Sequence, residues 1–522
     1  MPGSTPATST GPRLGAVLDM GASAIRLVVA EIQPRQPIRI LEEATRGVPL
    51  GRDAFSTGVI RADTVDTALA AVDGFRTILE TYGTYVIRAV ATSAVREARN
   101  GDMFLDRIKA RTGIAFEIIN EAEESRLVHL AVRQRLGNSA AFKGAWTLVV
   151  EVGGGGVGLT LLRRGRPNRS GVYAVGSVRM RQQLNLKRHS HDLQVSLLKR
   201  YVANVIEEIR VDIPLDRVTH LIAIGNEARF SAAQLQTDDA APARTISREE
   251  FLAFCDQVEA IPEEGLIERF NLPAVEAETL LPALLVYRAV LTETSARRFV
   301  VSDASLRTGV LIDMSEPGGR LGATDFERQV LASADSLGLK YRYDRQHGRH
   351  VAMLSTKLFD ALMEEHALGG RERLLLQVAA LLHDIGVYVN LRAHHKHSLY
   401  LLTASQIFGL TDVETSMVAN IARYHRRGLP QKSHLQYVAL DGPHRLIVNK
   451  LAAILRVANA LDAEHAQKVK DVRLLRQGET WILELDGAGD ITMERLVAVA
   501  RADMFIETYG RQILIRHAGV AE

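Results

Sequence analysis

The chain of 522 residues contains one cysteine, Cys255, two tryptophans and only 5% aromatic residues. A single thiol excludes an intramolecular disulfide framework and a cysteine-based metal site, and it fits a reducing, cytoplasmic setting. No apolar run approaches the ~20 residues that span a bilayer. The opening "MPGSTPATSTGPR" lacks the apolar core of a signal peptide, so residues 1–13 are expected to form a polar, disordered tail. Charge of one sign is missing too: 64 Lys and Arg against 61 Asp and Glu leave +3, which selects no partner by itself. The distribution says more. Basic residues concentrate in "KYRYDRQHGRH", "NLRAHHKHS" and "ARYHRRGLPQKSH", which reads as a polyanion-binding surface with Arg423, Arg426 and Arg427 as its candidates.

Glycine is not scarce, and "LVVEVGGGGVGLTLLRRG", residues 148–165, sets four in a row between two apolar runs, with Glu151 at the edge. Residues 153–158 satisfy G-x-G-x-x-G, yet a β-type run and a turn follow where a dinucleotide site would open a helix. The pattern is strand, glycine turn, strand. Such a turn can present N–H groups to phosphate, or can be merely a structural hairpin; taken alone the stretch does not decide. Residues 14–32, "LGAVLDMGASAIRLVVAEI", repeat the layout with Asp19 as the acid, which predicts two similar α/β halves, 14–135 and 136–315. A Pro/Gly-rich linker follows, then a mainly helical stretch, 326–465, and a small α+β piece, 466–522.

Asp19 and Glu151, each closing a first strand before a small-residue turn, are candidate Mg²⁺ ligands; the competing reading is a pair of turn caps. Glu123 and Glu124 open a predicted helix, as dipole partners or with one of them as a general base facing a cleft. Arg96 in "ATSAVRE" is either a phosphate clamp or a partner of Glu97. In the helical stretch, "AALLHDIG" ends an apolar helix on His383 and Asp384. With His347, His395 or His397, His425 and Asp462 they make either a metal site or a hydrogen-bonded polar core.

These segments together resemble the Ppx/GppA family of exopolyphosphatases and guanosine pentaphosphate phosphohydrolases. The resemblance runs in order through "DMGASAIRLVV", "ATSAVREARNG", "EIINEAEESRL", "VEVGGGGVGL", "VGSVRM", "AIGNEARFSA", "LRTGVL", "LLHDIG", "HHKHS", "ARYHRRGLP" and "LAAILRVANALD". It implies two actin-like (ASKHA, RNase H-like) α/β domains, an all-α HD-type domain and a small C-terminal α+β piece. By the same resemblance Asp19, Arg96, Glu123 and Glu151 are active-site residues with Glu123 as base. Phosphate would be held by Gly21, Ser23, Arg26, Ser93, Gly153, Gly154, Gly155, Gly156, Gly176 and Gly225. The implied cofactor is Mg²⁺, with Mn²⁺ or K⁺ as alternatives; the implied substrates are inorganic polyphosphate and guanosine pentaphosphate (pppGpp), and the implied assembly is a cytoplasmic homodimer without membrane contact.

Departures from the family pattern bear on activity. The usual Asp-x-Gly-Ser-Asn-Ser is Asp19-Met20-Gly21-Ala22-Ser23-Ala24. The usual Asp-x-Gly-Gly-Gly-Ser-Thr-Glu starts at Glu151 and ends on Gly156, Val157 and Gly158, and a Gly-Gly-Thr is Gly225-Asn226-Glu227. Two functions follow: a hydrolase that releases terminal phosphate, or a catalytically weakened sensor that binds polyphosphate or an alarmone. A nicotinamide-dependent dehydrogenase is the remote third.

Overall fold

The computed structural model describes residues 13–33, 36–83, 86–235, 243–315, 323–405, 407–426, 428–478, 480–487 and 490–517. The expected tail up to residue 12 and the candidate Arg427 lie outside them. The chain divides into two compact units, Met1–Phe326 and Glu327–Glu522.

The first unit is built on two mixed sheets. Strands β1 (Arg13–Met20), β2 (Ala24–Ile32), β3 (Arg39–Gly47), β4 (Val86–Ala91) and β5 (Phe116–Ile118) lie in the order β3-β2-β1-β4-β5. β1 pairs antiparallel with β2 and parallel with β4, so that Asp19 stands between Arg26 and Val90. Strands β6 (Thr147–Val152), β7 (Val157–Arg163), β8 (Arg166–Tyr173), β9 (His220–Ile224), β10 (Ala243–Ser247) and β11 (Arg298–Ser302) form the second sheet, in the order β10-β11-β9-β6-β7-β8. There β6 pairs antiparallel with β7 and parallel with β9, and Glu151 stands between Gly158 and Ile224. The doubled layout of the sequence is thus a doubled topology: a hairpin, then a parallel neighbour beside its first strand.

Both first strands are apolar almost throughout because helices cover both faces of each sheet, leaving no solvated side to alternate toward. Helix Glu121–Leu136 packs against helix Leu306–Ser315, and the two share one core with both sheets: Leu127, Ala131, Val310 and Leu311 meet Val17 and Val28 on one side and Val149, Leu162 and Ile222 on the other. Gly309 permits this approach, since a Cβ there would sit 1.9 Å from the carbonyl oxygen of Leu127. Asn120 caps the first of these helices by accepting from the Glu123 N–H, which sets its acidic first turn at the sheet ends.

The second unit is mainly helical up to Ala460 and ends in a three-stranded sheet, β12 (Val469–Gln477), β13 (Thr480–Gly487) and β14 (Gln512–His517), with two short helices before the last strand. Its helix Arg345–Ala361 starts on Asp344, whose carboxylate accepts from the N–H groups of Gln346 and His347. Among the described residues no helix is long and apolar enough to cross a membrane.

Candidate active site

The ends of β1, β2, β6 and β7 open onto a cleft of about 1020 Å³ in the first unit. Both hairpin turns line it. Gly21 N–H closes the first turn on Ala24 O (3.1 Å), and Gly153 N–H closes the second on Gly156 O (2.9 Å). The second turn is then buttressed from behind: Gly153 O and Gly154 O accept from Ser177 N–H and Arg179 N–H, at the start of helix Ser177–Gln183. None of its four glycines adopts the left-handed conformation. Close packing is what requires them. A Cβ on Gly154 would lie 2.9 Å from Ala22 Cβ, one on Gly155 2.0 Å from Ser93 Oγ, and one on Gly156 3.0 Å from Tyr173 O. Gly225 alone of the candidate glycines needs its freedom, with φ 141° and a Cβ that would meet Tyr287 Oη at 2.7 Å.

The cleft brings together Asp19, Arg96 and Glu151 as expected, along with Gly21, Ser23, Arg26, Ser93, Gly153, Gly154, Gly155, Gly156 and Gly225. Gly176 is not on its surface; it lies behind the turn, where a Cβ would reach within 2.3 Å of Gly156 N. Arg96 donates to Ile119 O (2.7 Å) and to Glu121 (3.3 Å), with Glu124 at 3.7 Å, while Glu97 pairs instead with Arg179 at 2.5 Å.

Glu123, expected as the base, does not line the cleft. Its carboxylate is held by Arg126 through two bonds of 2.7 and 2.8 Å and by Arg88 at 3.3 Å, and both guanidinium groups also reach Asp313. Burial pushes the Glu123 carboxyl up, but the two arginines outweigh it and the net shift is downward. Its neighbour Glu124 does line the cleft. Burial, with Asp19 and Glu121 adding and Arg96 opposing, raises the Glu124 carboxyl to about 7. Burial raises Glu151 to about 8, with Glu124 and Asp19 adding and Arg307 opposing. Successive helical residues point about 100° apart, so adjacent acids take opposite roles.

Three cationic residues of the cleft were not singled out from sequence: Arg179, Arg229 and Arg307, the last donating to Asp19 Oδ2 at 3.0 Å. Each sits one to four residues beyond a glycine or serine that ends a strand or turn, and that was the available signal. Val157 stands where the family pattern has threonine. It is fully buried in the core of the second sheet and turned away from the cleft, whereas Gly158 lines it.

The raised carboxyls make a pH prediction. A group with its folded pKa above its unfolded value stabilises the fold fully below the unfolded pKa, near 4.5 here, and loses that contribution as pH rises through the folded value. The metal-free protein is therefore expected to melt at falling temperature between pH 5 and 8.5, and Glu124→Gln or Glu151→Gln to flatten the fall. Calorimetry in a pH series checks this; an unchanged slope in both variants would contradict the assigned environments.

In the second unit His347, His383, Asp384 and His425 come together, and Asp462 stands behind His347, 2.8 Å from its Nδ1. The third histidine region supplies His394, 3.1 Å from Asp384, rather than His395 or His397. Arg423 stacks over the Tyr424 ring, 5.7 Å from its centroid.

Residues 28–317 match the model of the Ppx/GppA phosphatase family, and residues 330–497 match that of Ppx/GppA phosphatase domain III. The guanosine-5'-triphosphate,3'-diphosphate pyrophosphatase of Vibrio parahaemolyticus is 22% identical over 489 residues, covering 91% of this chain and 92% of that one; the Vibrio vulnificus protein of the same name is also 22% identical, over 490 residues. Among solved structures, an exopolyphosphatase from Cytophaga hutchinsonii superposes with a TM-score of 0.53 at 22% identity, over 59% of this chain and 99% of that chain. The structural likeness establishes a shared fold, the actin-like architecture of mixed sheets that the family resemblance implied. With a family match across more than half its length, the chain belongs to the Ppx/GppA phosphatase family.

Proposed function

We propose that the cleft hydrolyses a terminal phosphoanhydride, releasing inorganic phosphate from inorganic polyphosphate and, more slowly, from pppGpp. One observation carries this reading: Glu124, whose carboxyl is raised to about 7, lines a cleft in which Arg26, Arg96, Arg179, Arg229 and Arg307 stand among carboxylates that include Asp19 and Glu151. That is the environment of a general base beside an anion site. Water gives its proton to Glu124 as its oxygen bonds to the terminal phosphorus. The bond from that phosphorus to the bridging oxygen breaks, and the shortened chain leaves with the electron pair. Arg96 holds the terminal phosphate while its bond to Ile119 O fixes its direction.

The donors suit a hard divalent cation. Asp19, Glu124 and Glu151 line one cleft, and the raised carboxyls of Glu124 and Glu151 show that its arginines do not offset their burial and mutual crowding. Asp19 and Glu151 would hold Mg²⁺, which when bound supplies charge neutralisation at the leaving phosphate. The missing family carboxylate has a counterpart here. A Cβ on Gly158 would sit 3.8 Å from Glu151 Oε2, so the longer side chain of Glu151 reaches into the space that Gly158 leaves. Glu151→Asp is therefore expected to slow phosphate release by about 10- to 10²-fold through misplacement of the acid, and Glu151→Asp with Gly158→Glu to recover most of the loss. A double variant no better than the single one would contradict the exchange of positions.

Polyphosphate is placed ahead of a compact nucleotide because the basic clusters of the sequence suit a long anion; we assign the second unit's helical part to the HD type on its domain III match and its His-Asp pair. Phosphate release from polyphosphate and pppGpp, measured side by side, tests the choice. Faster turnover of pppGpp would reverse it, and tight binding with no release from either would favour the sensor.

A further inference from the structure

Glu227 lines the cleft but has no part in the proposed hydrolysis. It stands where the family pattern has threonine, in the first turn of helix Asn226–Gln234. An acid in a first turn is ordinarily a dipole partner, often tied into an ion pair on the helix surface. The contacts tell against the pair. Among the described residues no basic nitrogen lies within ion-pair distance of the Glu227 carboxylate. Residues two apart on a helix do not face each other, and Arg229 donates instead to the side-chain oxygen of Asn226.

The carboxylate turns back over the third turn of the cleft. A Cβ on Gly225 would sit 3.9 Å from Glu227 Oε2, so the acid occupies the approach to a glycine expected to hold phosphate. The turn has no room to withdraw. Gly225 is held at φ 141°, and its Cβ position is closed by Tyr287 Oη at 2.7 Å and Val152 O at 3.2 Å. Tyr287 is itself fixed, since its hydroxyl takes the Val152 N–H at 3.3 Å and donates to Ile224 O at 2.5 Å.

Two cations act on the same position. Among the described residues the Arg26 guanidinium makes no hydrogen bond or ion pair, and Arg229 bonds only to Asn226. Arg26 Nη1 lies 3.4 Å from where a Cβ on Gly21 would stand, against the first turn. Burial raises the Glu227 carboxyl, with its own backbone N–H, Thr279, Arg26 and Arg229 opposing. A negative group at a helix start, over a glycine turn and in the field of two arginines, has the place of a bound phosphate oxygen. Beyond it, Phe230 of the same helix lines the cleft with Leu272, Pro273 and Val275, an apolar stretch that offers phosphate no side-chain donor.

We propose, resting on the cleft's role as a phosphate site, that Glu227 is a specificity-determining residue: its carboxylate is a built-in anion over the Gly225 turn that takes the field of Arg26 and Arg229 and keeps a substrate phosphate out of that position. A polyphosphate is then held at the first two turns alone. Like charges forced together across a binding surface are strongly unfavourable, so removal of this one should strengthen anion binding.

Tripolyphosphate with Mg²⁺ is the probe, its affinity for the full chain read by calorimetry in a Glu124→Gln parent that leaves it intact. Glu227→Gln keeps the size of the side chain and removes its charge, and Glu227→Thr restores the family residue. Each is expected to bind the probe about 10- to 100-fold more tightly than the parent, a gain that damage to the fold does not produce. Arg26→Ala with Arg229→Ala should remove most of the gain. Affinity no higher than the parent's in both Glu227 variants would overturn the proposal, and a full gain without the two arginines would overturn the place assigned to the carboxylate. Phosphate release is measured apart, on chains with Glu124 intact. Release by the wild type with no gain in affinity on changing Glu227 would leave hydrolysis standing and sink this role; a gain in affinity with no release by the wild type would keep the role and sink the hydrolase.

Discussion

Glu124→Gln is expected to lower turnover by about 10²-fold or more while leaving substrate affinity nearly unchanged, the signature of a lost general base. The amide keeps the size of the side chain and cannot take the proton of the attacking water. The pH profile should change in the same variant: the wild-type rate rises between pH 6 and 8 as the raised Glu124 carboxyl ionises, and that limb disappears. Glu123→Gln should behave differently. Its carboxylate holds Arg126, and Arg126 and Arg88 hold Asp313, in a network whose Arg126 and Asp313 are buried. Removing one partner of a buried ion pair costs about 3–5 kcal/mol, so this variant should melt early and yet keep the pH limb. Steady-state kinetics and melting curves of the two variants decide between them; loss of the limb in Glu123→Gln alone would return the base to that residue.

Gly155→Ala is expected to damage the cleft through a single methyl. The new Cβ would fall 2.0 Å from Ser93 Oγ and 2.8 Å from the Phe55 ring, where the second glycine turn meets the first half. Arg179 ties the same junction together, donating to Gly155 O and Glu97 at 2.5 Å each and lying 4.1 Å over the Phe55 ring. The added methyl must therefore push the second turn away from Ser93 and Phe55, which pack against the cleft's other half. Overpacking of this kind costs about 1–3 kcal/mol, and displacing catalytic groups by an ångström costs about 10²-fold in rate. Ser93→Gly in the same chain should recover part of the activity by removing the struck side chain. A Gly155→Ala protein with normal phosphate release would show that the turn does not set the cleft.

Much of the first unit was legible in its sequence because its signals are local. Asp19 and Glu151 each close an apolar strand before a small-residue turn, and β pairing needs nothing more distant to bring them to sheet ends. The choice between Glu123 and Glu124 was not local: it depends on Asp313, 187 residues from Arg126, which draws that arginine and with it Glu123 away from the cleft. Arg307 reaches Asp19 from 288 residues away and is one basic residue of "LRTGVL" with no local sign of its partner until the chain folds back. The four glycines stand out in the sequence as a run, but the neighbour that forbids a side chain at Gly155 is Ser93, which only the folded chain brings near. His394 rather than His395 or His397 is the same problem as the paired glutamates: a helix shows one residue in about four to a given face, and the run "HHKHS" does not say which.

The central claim is that the cleft performs hydrolysis with Glu124 as base, and one measurement bears on it most directly: inorganic phosphate released from long-chain polyphosphate with Mg²⁺ by the wild type and Glu124→Gln, with binding measured on the same preparations. The expected result is release by the wild type, and binding without release by the variant. Binding without release by both proteins, or equal release by both, would contradict it.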